Sequence, residues 1–180
     1  MPKYPFETEI TAAALKHGLS PDLIAAFCWK ESSFDPDAYR YEIKFQIKYI
    51  NRHPHYEKLD HKTRNLLASS LGLMQVMGVV AHEHGLPLSC LENLYRPEVC
   101  LEYGCRKLTK LFERYGVRGL GNADLPVPNN LTDAISAYNA GEAKRGAKDG
   151  YVNQGYVVGV LGKYRQYQKQ NSESRSQNES

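Results

Sequence analysis

At 180 residues, with 42% hydrophobic and 24% charged side chains, the chain can bury a real core. That composition excludes a fibrous or largely disordered protein. Its 23 basic and 20 acidic residues leave a net charge of +3, too small a surplus to argue for nucleic acid but compatible with an acidic polymer. No apolar run approaches a membrane span, so no membrane insertion is expected, and Met1 to Glu7 lacks the apolar stretch of a secretory signal.

In chain order, Phe6 to His17 reads as an alanine-rich helix ended by Gly18. Ser20 as N-cap and Pro21 at the first helical position open a second helix that reaches Ser33 and must stop near Asp35, which precedes Pro36. Tyr39 to Ile50 is ambiguous. Tyr41, Ile43, Phe45, Ile47 and Tyr49 alternate with polar residues like a strand, whereas Ile43, Ile47 and Ile50 fit a helix. With no second strand evident to pair with it, the helix is preferred. A short helix follows over Lys62 to Ala68, then a turn through Ser69 to Met77 feeding a helix that ends at Gly85. Pro97 opens the clearest helix, which runs to Tyr115 and is capped by Gly116. Gly104 in its interior costs about 1 kcal/mol against alanine, which suggests another helix crossing closely there. A loop over Gly116 to Asn130 precedes a helix capped by Asn130, with Leu131, Ala134, Ile135 and Tyr138 inward, that ends at Gly141. Glu142 to Gly155 reads as a mobile loop, Tyr156 to Gln168 as a last helix, and residues 171–180 as a disordered polar tail after one domain over 1–170.

Glu31 stands out on physical grounds. Leu23, Ile24, Phe27 and Cys28 form an apolar stripe at helical spacing, and Glu31 continues it at the helix C-terminus. Burial and the negative end of the helix dipole both disfavour the ionised carboxylate, which suits a general acid working near neutral pH. A buried glutamate satisfied by a structural partner is the competing account of that residue alone.

Three separated segments weight the choice. Glu31-Ser32-Ser33-Phe34-Asp35-Pro36, Gly72-Leu73-Met74-Gln75-Val76-Met77 and Ala137-Tyr138-Asn139-Ala140-Gly141 resemble, in order, the signature blocks of the soluble lytic transglycosylases. These enzymes have the goose-type lysozyme fold and cleave peptidoglycan. The resemblance covers roughly Pro21 to Tyr164 and implies a mainly α, lysozyme-like helical domain with a cleft. It implies Glu31 as catalytic acid, then base, with Gln75, Met77, Tyr138, Asn139 and Ser70 as substrate-binding residues and Tyr138 close enough to orient Glu31. The residue types suit those roles: Gln75 offers a donor and an acceptor for N-acetyl and hydroxyl groups, and Tyr138 offers a ring and a hydroxyl. Met74 reads as core.

The chain departs from the family pattern in three places. About thirty residues, Tyr39 to Ala68, stand where typical members have a short turn; Cys100 replaces an asparagine; and Gly78 follows Met77 where proline is common. Within the insertion, Tyr39-Arg40-Tyr41-Glu42 resembles an Arg-x-Glu element of phage-type members. Glu42 is therefore a second catalytic candidate, held ionised by Arg40, or else an ordinary solvated glutamate. A hydrolase would use it to activate water; a transglycosylase needs no water.

His53, His55 and His61, with His82 and His84, do not match a zinc motif, so neither a metal nor another cofactor is expected. Cys28, Cys90, Cys100 and Cys105 are expected to be reduced. The expected partner is the peptidoglycan glycan strand, met by a monomer in the periplasm or cell wall after delivery by phage, other export or processing. A peptidoglycan-binding structural module of a phage particle or secretion apparatus is the alternative from another class.

Overall fold

The computed structural model describes residues 2–118, 129–146 and 150–178. Its architecture is mainly helical, with one small sheet. Helix α1 (Glu7–Lys16) buries Ile10 and Ala14, and Gly18 leaves it in the left-handed region at φ 64°. Helix α2 (Pro21–Ser32) is the centre of the molecule, because every residue from Asp22 to Cys28 is buried rather than one stripe alone. A helix buried all round is the core element of its domain. Asp22 is tolerated there because Lys3 reaches it at 2.7 Å. Ser20 sits at the N-cap in extended backbone, yet its side chain makes no capping bond. Pro21, with its preset φ and no amide donor, starts the helix instead.

The segment after Asp35 resolves the ambiguous stretch into both alternatives. Tyr39–Tyr41 is strand β1, and Ile43–Lys48 is helix α3, followed by a 3-10 turn at Ile50–Arg52. The partner strand not evident from sequence is β2 (Ser69–Leu71), which also pairs with β3 (Val76–Met77) in an antiparallel sheet ordered β1-β2-β3. Tyr39 faces Leu71, Arg40 faces Ser70, and Ser70 faces Met77. With three residues, two of them serine, β2 lacks the apolar alternation that marks a strand. Between β1 and β2, α4 (His61–Leu67) is capped by Asp60, which accepts the Thr63 amide proton at 3.0 Å.

Helix α5 (Gly78–Glu83) follows β3 directly, and 3-10 turns over Leu88–Tyr95 lead into α6 (Pro97–Tyr115). At Gly104 an added Cβ would come within 2.4 Å of the Met74 sulfur, so the glycine makes room for a buried side chain from the turn before β3.

Helix α7 (Asn129–Ala140) buries Leu131, Ala134, Ile135 and Tyr138 as expected. Of the loop expected before it, residues 119–128 lie outside the described residues. The stretch expected to be mobile after α7 is tied where it is described. Arg145 bridges Tyr151 antiparallel, and the Tyr151 hydroxyl donates to Asp133 at 2.6 Å. Helix α8 (Gln154–Asn178) packs along α2 and continues past Gln168. The disordered tail expected from residue 171 is thus replaced, as far as Asn178, by helix. Extending an existing helix needs no new nucleus, and the segment contains no Gly or Pro to stop it. All four cysteines are free thiols, as expected.

Candidate active site

Glu31 lies in the last turn of α2, where the chain leaves the helix through two consecutive left-handed residues, Ser33 at φ 55° and Phe34 at φ 65°. The Phe34 amide returns to the Cys28 carbonyl at 3.3 Å, which satisfies an end-of-helix acceptor. The Ser32 hydroxyl lies 2.8 Å from the Leu73 carbonyl and 3.1 Å from that of Cys28. One serine thereby fastens the segment bearing Glu31 to the turn bearing Gln75.

Glu31 is half-buried, and its Oε1 accepts a hydrogen bond from the Tyr156 hydroxyl at 2.5 Å. Burial raises the Glu31 pKa above the ordinary carboxylate value, against the opposing effects of the Tyr156 hydrogen bond and then of Lys107, Arg40 and Lys30. The Tyr156 hydroxyl is itself pushed up by burial and by Glu31, so it stays protonated and can only donate to an ionised carboxylate. The orienting hydroxyl is therefore Tyr156, on α8, and not Tyr138. Tyr138 is 2% exposed, donates its hydroxyl to the Met74 carbonyl at 3.0 Å and packs on Phe27 at 4.7 Å between ring centroids. Sealed from solvent, its ring is no platform for a sugar; it is a pin that fixes the turn before Gln75.

The other residues singled out in the sequence divide by exposure. Gln75 is buried at φ 45°, and its Nε2 donates to the Ala38 carbonyl at 3.0 Å and the Gly72 carbonyl at 3.2 Å. Its donor therefore ties the turn to the strand segment carrying Arg40. Ser70 is buried at the centre of the sheet, and Met77 is half-buried beside it in β3. Met74 is core. Asn139 is exposed at the end of α7, where its side-chain oxygen accepts from Asn153 at 3.1 Å. Glu42, partly exposed just after β1, pairs with Arg40 at 2.6 Å, and its amide donates to the Ala68 carbonyl at 2.9 Å.

Two residues of α6 were not foreseen as parts of this site. The Lys107 ammonium donates to the Tyr138 carbonyl at 2.7 Å and sits 3.9 Å from the centroid of that tyrosine ring. Burial lowers its pKa to about 8, while the nearby Glu31 carboxylate pulls it back up. Cys100 stands where the resemblance expects asparagine and handles both a donor and an acceptor of the turn. Its sulfur accepts the Met74 amide at 3.3 Å and donates to the Leu71 carbonyl at 3.4 Å. Burial pushes this thiol to about 11, which keeps the proton that the second bond requires. Spacing carried a signal for both: Cys100, Gly104, Lys107 and Leu108 share one face of α6, and a lysine on an apolar face calls for an explanation. Tyr156 carried none, because nothing in the sequence places the start of α8 against the end of α2.

Among the described residues, no three His, Cys, Asp or Glu side chains group so as to hold a metal ion. Nor is any described helix long and apolar enough to cross a membrane. What the site offers is one carboxyl of raised pKa held by a tyrosine, bordered by a lysine and by a turn fixed from three sides. Comparison with the curated proteins finds no match. The family model described as Transglycosylase SLT domain matches residues 8–155, a span that takes in Glu31, Gln75, Lys107 and Tyr138 and reaches the start of α8. A match over that much of the chain, on a mainly helical fold with these three blocks at its centre, places the protein in the soluble lytic transglycosylase (SLT) family of the lysozyme-like superfamily.

Proposed function

We propose that the protein is a lytic transglycosylase that breaks the β-1,4 bond between N-acetylmuramic acid and N-acetylglucosamine in the periplasm or cell wall. The observation that carries this reading is the Glu31 carboxyl, raised in pKa by burial and held at one oxygen by Tyr156. Because Tyr156 occupies Oε1, the proton to be delivered resides on Oε2. Glu31 passes it to the glycosidic oxygen as that bond breaks, and the substrate N-acetyl group stabilises the oxocarbenium centre left behind. The glutamate, now a base, takes the proton of the C6 hydroxyl as that oxygen closes a 1,6-anhydro ring. No water is consumed, so the products weigh together what the substrate weighed. Mass spectrometry of digested peptidoglycan should accordingly find 1,6-anhydromuramic ends, lighter by one water than reducing ends. Digests with reducing ends alone would overturn the reading.

The Arg40–Glu42 ion pair favours one second reading, a hydrolase in which Glu42 activates water. In an inverting glycosidase the two carboxylates stand about 6.5–9.5 Å apart. Glu42→Gln should abolish activity on that route and lower it no more than a few-fold on the transglycosylase route.

Lys107 supplies a pH test of the site. Its positive charge favours the ionised form of Glu31, so Lys107→Met should raise the Glu31 pKa and move the alkaline limb of the kcat profile to higher pH. The same lysine makes stability pH-dependent. Its pKa is lowered from 10.5 to about 8 in the folded state, so between those values the unfolded chain binds more protons and folding stability rises with pH. The methionine variant should lack that rise, which denaturant titrations across this window would register.

A further inference from the structure

We propose that the insertion between Tyr39 and Ala68 is a docking site for the acidic peptide stem of the glycan strand. This rests on the reading that the substrate is peptidoglycan and adds a specificity element to it. The segment carries seven Lys and Arg against three Asp and Glu, a net charge of +4 in a chain whose total is +3. The rest of the molecule is therefore slightly negative, and the positive field is concentrated here.

The insertion also has a shaped cavity. A pocket of about 410 Å³ opens between the insertion and α5, within the size range of small-ligand sites. Phe45, Tyr49 and Tyr56 supply apolar wall, Lys48 and Arg52 supply cations, and Glu83 of α5 supplies one carboxylate. Neither Lys48 nor Arg52 makes an ion pair among the described residues; the Lys48 ammonium instead lies 5.0 Å from the Tyr49 ring centroid. Alongside, Ile43 and Ile47 are more than half exposed, although the sequence pattern would have turned them inward. Gln46 is the buried residue of α3, accepting from Tyr41 and donating to Asn65 at 2.8 Å. The helix therefore shows its isoleucines to solvent next to unpaired cations, a surface that matches a short peptide of small apolar residues with free carboxylates and an amine.

The distances suit that occupant. Helix α5 begins immediately after Met77, and Glu83 lies six residues along it, a rise of about 9 Å. A stem of four residues, extended, spans up to about 13 Å. Strand β1 carries the insertion to the acid, since the charge of Arg40 is felt at Glu31. A stem leaving a sugar seated against Met77 is thus long enough to reach Glu83 at the pocket.

The test compares glycan strands that keep their stems with the same strands stripped by an amidase, using the wild-type protein and the double variant Lys48→Ala/Arg52→Ala. On strands with stems the variant should show KM raised about tenfold with kcat little changed, the signature of lost ground-state binding. On stripped strands it should match the wild type. Equal KM for the two proteins on strands with stems would overturn the proposal, as would an equal loss on both substrates, which would signify general attraction to the glycan. A wild-type protein that cleaved neither substrate would sink the activity reading instead. In that event an NMR titration of the full chain with a free stem tetrapeptide decides the docking question. Shifts centred on Phe45 to Tyr56 would uphold the site, and their absence would remove it.

Discussion

Replacing Glu31 by Gln should slow peptidoglycan solubilisation by about 10²- to 10⁴-fold, the range expected when a positioned general acid is lost. The substitution keeps the shape of the side chain and leaves an oxygen to accept the 2.5 Å hydrogen bond from Tyr156. A folding defect is therefore not expected to account for the loss. The stability comparison makes this checkable through its sign. Burial raises the Glu31 pKa above its ordinary 4.5, so the folded state holds a proton that the unfolded chain has released. The favourable contribution of Glu31 is then complete below pH 4.5 and disappears as the pH rises through the folded value. Glutamine has no such loss. The variant should equal or exceed the wild type in stability at neutral pH while being nearly inactive, and melting curves beside turbidity assays would register both. Full lytic activity in Glu31→Gln would overturn the assignment of the site.

The sequence revealed the helical frame and the order of its blocks because both are local properties. Helix starts at Pro21 and Pro97, and stops at Gly18, Gly116 and Gly141, follow from residue types that few other conformations accept. The small sheet was invisible because β2 is short and is defined by its neighbours, not by its own pattern. At the site, the segment of α2 that carries Glu31 was legible, but the geometry around it was not. Tyr156 comes 125 residues later on a different helix, and only packing of α8 along α2 makes it the partner. Tyr138 was placed correctly in a helix and near the acid, yet its ring is sealed by Phe27 on one side and the Lys107 ammonium on another. A motif names the residue type that a position needs; it does not say which face of that side chain remains open. Cys100 makes the converse point. It departs from the family pattern, and the thiol fills the gap by accepting one backbone proton and donating another.

Gly72→Ala should be the most damaging conservative substitution outside Glu31. Gly72 has φ 68°, and a Cβ there would lie 2.3 Å from the Leu94 carbonyl oxygen and 3.0 Å from the Cys100 sulfur. The first contact is with backbone, which cannot rotate away as a side chain can. A left-handed alanine costs about 1 kcal/mol, and overpacking of a filled core adds about 1–3 kcal/mol. At about 2–4 °C per kcal/mol for a domain of this size, the melting temperature should fall by roughly 4–16 °C. Gly116 is the internal control: it has φ 66° with nothing within 4 Å of the added Cβ, so Gly116→Ala should show the backbone cost alone. If the two variants melted together, the contact with Leu94 would not be what requires a glycine at position 72. The damage should also reach the chemistry, because relief of that contact must move the turn. The Gly72 carbonyl accepts from Gln75, the Leu73 carbonyl is bound by Ser32, and the Met74 carbonyl is bound by Tyr138. Three consecutive carbonyls thus connect this turn to Gln75, to the end of the helix that bears Glu31 and to α7. A shift of the turn loosens all three, so the fraction of Gly72→Ala that remains folded should itself be slow, with kcat reduced beyond what the loss of folded protein explains.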